Sequence, residues 1–379
     1  MSHLTVNGSI RITRRVWWCA ATGTARPVDT WLGIEDGTVS VGARELCCWV
    51  GLSEEGFRRG AETLAKLGQI RVSDEHLRAV TESQGRQLLA AVRAGRWGPD
   101  WDAEACRVEP GGPTRVLMGM DGVMVPVVTA AEKTKRRSNR RARRKVRRGS
   151  CLARRFRGAS GPHKEFKIAA FYDVSGEHQY ALGVSGGPDE LGRRARRAAG
   201  RLRLNAAEEK VAVVDGAPWI RRQLTTRLPM LDAQILDYYH VMEHVAGAAW
   251  TCFGEGTAEG RAWCKAASKA LHEEGAAGLL AVVRDQVKAT RSRAKRETLR
   301  ALEQYVAVRG DMLDYPTFLA RGWDVGSGPT EAFCKTLTRR LKGSGMRWNT
   351  PNAEAMMALA ALYHSNLWKR YWTEQRHAA

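Results

Sequence analysis

The stretch VLMGMDGVMVPV (Val116–Val127) is nearly all apolar, yet Asp121 sits in its middle and Gly122 follows it. The pattern returns in KVAVVDGAPWI (Lys210–Ile220), where Asp215 comes directly after four apolar residues and just before Gly216. Continuous apolar runs rich in Val read as strands buried on both faces. An ionised carboxylate left there without a partner is costly. One Asp-Gly after a strand is most simply a turn. Two of them in one sheet have a second use, converging on divalent metal ions that offset their mutual repulsion. Such ions would be hard and oxygen-seeking, Mg²⁺ or Mn²⁺, and two of them would serve phosphodiester chemistry.

Around these two runs the pattern predicts a sheet. Strands are expected at Arg115–Val128, Phe166–Asp173, Gln179–Val184 and Lys210–Val214, with a helix, DELGRRARRAAGRLRL, before the last. A fifth run, AQILD (233–237), leads into the helical YYHVMEHVAGAAW. Three strands, a helix, a strand and then another strand is the order of an RNase H-like α/β core, a mixed sheet flanked by helices. Residues 256–315 are rich in Ala, Lys and Glu and are expected to be all helical, an insertion in that core. GWDVGSGPTE then breaks the pattern before two final helices, roughly 329–342 and 351–372.

Two Asp residues need a third acid, and Glu331 is the strongest candidate. Pro329 after a Ser/Gly cap starts a helix, so Glu331 falls in its first turn, where the helix dipole favours the carboxylate. At 100° per residue Glu331, Lys335, Thr338, Arg339 and Lys342 share one face, and Phe333, Cys334, Leu337 and Leu341 another. The plainer alternative is a Glu–Lys pair on a solvated helix. In LDYYHVMEHV, Asp237 also ends an apolar run and rivals the other acids for an active-site position. His240 and His244 are one helical turn apart, but no HExxH pattern is present and a zinc pair is not expected there. For these acids to act together, their carboxylates must converge in the fold.

The N-terminal third reads differently. LTVNGSIRITRRVWWCA (4–20) is expected to form two β-runs joined by Asn7-Gly8, a favoured hairpin dipeptide. From about Val41 the pattern is helical. One helix ends near Gly68, and another opens at the N-cap Ser73 with acids in its first turn. Helix, short turn, helix in a basic chain fits either a helix-turn-helix DNA reader or an ordinary helical hairpin. The Gly/Pro-rich 95–113 reads as a linker. The predicted organisation is thus 1–110, an N-terminal DNA-binding region; 111–255, the first part of the core; 256–315, the helical insertion; and 316–379, the last part of the core.

Lys and Arg number 61 against 40 Asp and Glu, a net charge of +21, so a polyanion is the expected partner and double-stranded DNA fits best. The charge concentrates in a basic insertion at 132–158. There Lys133–Arg148 includes Arg136, Arg137, Arg140, Arg141, Arg143, Arg144, Lys145, Arg147 and Arg148, expected to grip nucleic-acid backbone without reading sequence. No run of 18 apolar residues exists and the N-terminus lacks an apolar signal core, so a cytoplasmic protein is expected. Eight cysteines lie at 19, 47, 48, 106, 151, 252, 264 and 334 without a CxxC pair, which fits reduced thiols and no complete zinc site.

The segments MDGVMVPV, VVDGAPWI, ILDYYHVMEH and GSGPTEAFCKTLTRRLKGSGMRWN resemble the DDE transposases of bacterial insertion sequences, above all the ISKra-type group related to the Mutator-like transposases. The likeness runs from about Ser9 to Trp372. It implies an RNase H-like catalytic core with Asp121, Asp215 and Glu331 as the metal-binding triad. Asp237 and His240 match a DxxH motif beside the site, where His240 would orient a scissile phosphate or leaving oxygen. The resemblance further implies DNA contacts from Lys335, Arg339, Lys342, Arg347 and Trp348, the last stacking on an unpaired base or else packing in the core. It also implies an oligomer on paired transposon ends, and so a bacterial, nucleoid-associated location. A second cysteine is expected in this group three residues after Cys19. Thr22 stands there instead, and zinc is not expected. A non-catalytic DNA-binding derivative and an RNase H-like nuclease without strand joining are the alternatives.

Overall fold

The computed structural model describes residues 2–31, 38–129, 132, 134, 163–343 and 346–377. At its centre is a five-stranded mixed sheet. Strand β5 (Arg115–Pro126) pairs antiparallel with β6 (His163–Tyr172), which pairs antiparallel with β7 (Gln179–Val184). On its other side β5 runs parallel to β8 (Glu209–Val214), and β8 parallel to β9 (Ala233–Leu236). The spatial order is β7-β6-β5-β8-β9. Helices α5 (Pro188–Arg201) and α6 (Pro218–Arg227) make the crossovers into β8 and β9. The chain is therefore mixed α/β, a five-stranded mixed sheet flanked by helices, compatible with an RNase H-like core. Central β5 is buried on both faces along Arg115–Met120, which is why its apolar run does not alternate.

Cross-strand partners share a face, so Asp121, Ile168 and Gly183 look the same way, as does Gly119 two residues before Asp121. Two helices cover that face, α11 (Gly328–Thr338) and α12 (Thr350–His364). They approach closely because glycines receive them. A Cβ on Gly119 would lie 1.9 Å from Thr330 Oγ1, and one on Gly183 would lie 2.5 Å from Met357 Cε.

Beside the sheet lie α7 (Tyr238–Phe253), α8 (Ala258–Ala289, kinked at Gly275), α9 (Arg293–Ala307) and the short α10 (Tyr315–Ala320). The N-terminal region carries β1 (Ser2–Thr5), β2 (Gly8–Arg11), β3 (Trp17–Cys19) and β4 (Gly23–Ala25). Short α1 (Pro27–Trp31) precedes α2 (Val41–Ser53), α3 (Phe57–Leu67) and α4 (Asp74–Arg93). Helix α4 rests on α12 at Gly85, whose Cβ would be 2.6 Å from the Ala355 carbonyl, and Gln84 donates to Tyr371 Oη at 2.7 Å.

Three local expectations are corrected. The two β-runs of 4–20 are two hairpins: β1 pairs with β2 across Val6-Asn7, one residue earlier than expected, into the positive-φ Gly8, and β3 with β4 across Ala20–Thr22 into the positive-φ Gly23. The helix expected at 351–372 is two, α12 and α13 (Trp368–His377). Asn366 turns left-handed (φ 58°), and the Ser365 hydroxyl accepts the Ala181 amide at 2.9 Å. Finally, α11 ends at Thr338, earlier than the 342 expected.

Candidate functional site

Asp121 and Asp215 stand at neighbouring points of the sheet. Met118 of β5 pairs with Ala212 of β8, so three further residues along each parallel strand bring Asp121 and Asp215 level. Gly216 follows with φ +72°, a conformation that disfavours side chains, and its turn lets Asp215 accept the Ala217 amide at 2.8 Å. The Asp215 carboxyl is held above the usual carboxylate range. Burial is the main cause and the negative charge of Asp121 adds to it, against the Ala217 bond and the positive influence of His240 and Arg309.

Glu331 lies in the first turn of α11, the helix seated on Gly119. Three residues on lies the buried Cys334 thiol, within the influence of Asp121. Burial first, then the charge of Asp121 and that of Glu331, push this thiol far up. The side chain of Glu331 is exposed and its Oε2 lies 3.6 Å from Lys335 Nζ, as the Glu–Lys alternative anticipates. Asp121 and Asp215 thus stand level, with the helix of Glu331 seated on β5, but the oxygens of the three acids do not all approach one another. Among the described residues the one group of potential ligands within 4.8 Å of each other is Cys106, Asp173 and His178. Unscreened carboxylates repel, and Glu331 finds its cation in Lys335 instead.

Asp237 is 1% exposed and both its oxygens are engaged. Oδ1 caps α7 by accepting the His240 amide at 2.8 Å, and Oδ2 accepts the Ser327 amide at 2.5 Å. Ser327 is the residue from which α11 starts, and the Asp237 amide donates to Val214 O beside Asp215. One buried residue therefore links the end of β8 through its amide, and the helices of His240 and Glu331 through its carboxylate. His240 Nδ1 lies 3.3 Å from Glu243 Oε2. Burial disfavours its cation, but the Glu243 bond and the charges of Asp237 and Asp215 outweigh that and raise its pKa. His244 shifts the other way, lowered by burial and by Arg309 and His240, with its ring 3.9 Å from that of Tyr305.

Of the expected DNA-contacting side chains, Lys335, Arg339 and Lys342 are exposed along and just past α11. Arg347 lies 3.4 Å from Glu132. Trp348 is 7% exposed, its ring edge-on to Phe57 and beneath the Arg340 guanidinium, so almost none of it is open to a base. Arg136, Arg137, Arg140, Arg141, Arg143, Arg144, Lys145, Arg147 and Arg148 lie outside the described residues.

Three contributors escape sequence reasoning. Arg309 follows α9, stacks over Tyr305 with its carbon 4.2 Å from the ring centre, and donates to Gly216 O at 3.2 Å, beside Asp215. Cys334 and Ser327 act through neighbours distant in the chain. No local pattern signals any of them, because each contact is made only when the helices close on the sheet.

No family model matches the chain, and no curated protein matches it. Among solved structures, the Drosophila P element transposase strand transfer complex aligns over 92% of this chain and 84% of that one, at 11% identity and a TM-score of 0.28. A superposition that loose carries no argument about this chain. No helix among the described residues is long and apolar enough to cross a membrane.

Proposed function

We propose that the protein is a DDE-type DNA transposase that cuts at the ends of a mobile element and joins the freed 3′-hydroxyl to target DNA. The observation that carries this reading is the levelling of Asp121 and Asp215 on adjacent parallel strands, where the charge of Asp121 raises the pKa of Asp215. The helix of Glu331 rests on the same strand. The donors suit Mg²⁺ or Mn²⁺: hard carboxylate oxygens, with Asp215 half-buried beside the charge of Asp121. When bound, such ions would supply the charge that stabilises negative charge developing on the phosphoryl oxygens.

Asp121, Asp215 and Glu331 would hold the ions, with Glu331 leaving Lys335 to do so. His240, its pKa raised by its acidic neighbours, would hydrogen-bond a phosphate or leaving oxygen. Asp237 would be a positioning residue, fixing His240 and the start of α11 through backbone amides. Catalysis then rests on orientation and charge, without a covalent protein intermediate. Residues 133–148, with Lys335, Arg339, Lys342 and Arg347, would neutralise DNA phosphates. The region 1–110 would bind DNA, the parts 111–255 and 316–379 would form the core around a helical insertion at 256–315, and the chain would act as a homo-oligomer in the bacterial nucleoid.

One observation favours a second reading, a non-catalytic DNA-binding protein: the oxygens of the three acids are not drawn into one cluster. Cleavage decides between them. Purified protein is incubated with Mg²⁺ and supercoiled DNA carrying the sequences that flank its coding region, and product ends are sequenced. The transposase reading expects breaks with 3′-hydroxyl ends at inverted repeats, and joints into a second DNA. Binding without breaks contradicts it, and breaks in an RNA–DNA hybrid without joints would indicate a nuclease.

A further inference from the structure

We infer that Cys106, Asp173 and His178 form a zinc site at the end of the sheet opposite Asp121 and Asp215, one that staples the segment before β5 to the β6–β7 turn. Cys106 lies just before β5 and its carbonyl accepts the Arg115 amide at 2.8 Å. Asp173 directly follows Tyr172, whose partner is Leu117 near the start of β5, and His178 directly precedes β7. At about 3.3 Å per strand residue the cluster is roughly 15 Å from Asp121. Potential ligand atoms of all three lie within 4.8 Å of one another, with Cys106 and Asp173 buried and His178 half-buried.

The donor types select the metal. Thiolate, imidazole and carboxylate together are a zinc set, whereas Mg²⁺ and Mn²⁺ favour oxygen alone. With zinc–ligand distances of about 2.0–2.3 Å, a tetrahedral site separates its ligand atoms by roughly 3.3–3.8 Å. The observed cluster closes to that with side-chain shifts of about 1 Å. The half-buried imidazole marks the open side, where water would complete the fourth position.

A metal-free role explains two of the three residues. Asp173 accepts the Ser175 hydroxyl at 2.6 Å and the His178 amide at 3.2 Å, and His178 Nδ1 lies 3.0 Å from its Oδ2, bonds that shape the turn. The thiol is left over. It comes from a separate segment, is buried near a carboxylate, and has one long contact, 3.8 Å to the Asp102 carbonyl. A metal gives the thiol a role, and its binding releases the sulfur's proton. Cys106 lies far in the sequence from the Asp173–His178 turn, with no spacing motif. The inference is independent of the transposase reading.

Full-length protein stripped with EDTA is titrated with Co²⁺ and then Zn²⁺. Wild type is expected to bind Co²⁺ with a thiolate-to-cobalt charge-transfer band that Zn²⁺ abolishes, and Zn²⁺ should raise the Tm. Cys106→Ser should lose the band and the Zn²⁺-dependent Tm rise, with affinity down by at least about tenfold. Asp121→Asn should keep both, which separates this site from the carboxylates beside Cys334. No thiolate band in wild type, or a band that survives Cys106→Ser, overturns the inference. If Cys106→Ser fails to fold, His178→Gln serves: about tenfold weaker Co²⁺ binding supports the site, and unchanged binding refutes it.

Discussion

Asp215 carries a cost that its function would explain. Its raised pKa means that the folded chain holds the carboxyl proton to higher pH than the unfolded chain, whose Asp value is about 3.9. Between those two values the folded state binds more protons, so stability falls as pH rises through the window and stays lower above it. Asp215→Asn removes the charge and should stabilise the metal-free protein at neutral pH by about 0.5–1 kcal/mol, in the range gained when a functional site is relaxed. The same change should abolish cleavage. It should also lower the His240 pKa, since Asp215 is one of the charges that raise it. Thermal melts at several pH values and His240 titration by NMR test these outcomes; an unchanged His240 would break the link.

Asp237 makes the opposite case, a carboxylate whose value is structural. Asp237→Ala strands two backbone amides, the buried one of Ser327 and the part-buried one of His240 that caps α7, a loss of about 2–4 kcal/mol. Asp237→Asn keeps one acceptor oxygen and should recover part of that stability, with cleavage slowed but still measurable. Equal loss in both variants, with the Tm unchanged, would instead point to direct contact with the reacting groups.

At the scale of elements, the site depends on how α11 meets β5. Gly119→Ala would drive a methyl into Thr330 and lift the helix that bears Glu331. The expected result is a stability loss of about 1–3 kcal/mol with end cleavage lost and DNA binding retained. Cleavage at the wild-type rate in this variant would show that the seating of α11 is immaterial. Much of this layer is legible beforehand. A continuous apolar run marks β5, and a Ser/Gly-Pro start with a two-sided pattern marks α11. The split between α12 and α13 is not, because apolar residues resume at Leu367 directly after the break. What ends α12 is a left-handed Asn366 and a hydroxyl reaching to β7, a tertiary choice. The second hairpin is hidden for another reason: Trp17 and Trp18 are exposed, so no alternation of buried and exposed positions marks β3.

For the whole molecule, the charge balance and the carboxylate end of the sheet are the two features that must cooperate. If the basic tract neutralises phosphates, replacing Lys and Arg in 133–148 with Gln should flatten the dependence of log K on log salt. The slope should fall by about 0.9 for each phosphate that the variant no longer neutralises. A slope identical to wild type would mean that the +21 charge engages DNA elsewhere. The candidate site was only partly visible in advance. Asp121, Asp215 and Glu331 stand out locally, each next to a glycine or a cap, whereas Arg309 and the Cys106 cluster are assembled by folding alone.

Whether Asp121, Asp215 and Glu331 form one metal-dependent cutting site, with Asp237 supporting it, is tested most directly by Mg²⁺-dependent end cleavage. Glu331→Ala and Asp237→Asn are assayed side by side at equal DNA occupancy. A site built on those three acids predicts no cleavage by Glu331→Ala and reduced cleavage by Asp237→Asn. Full cleavage by Glu331→Ala with none by Asp237→Asn would contradict it, and would make Asp237 the third ligand.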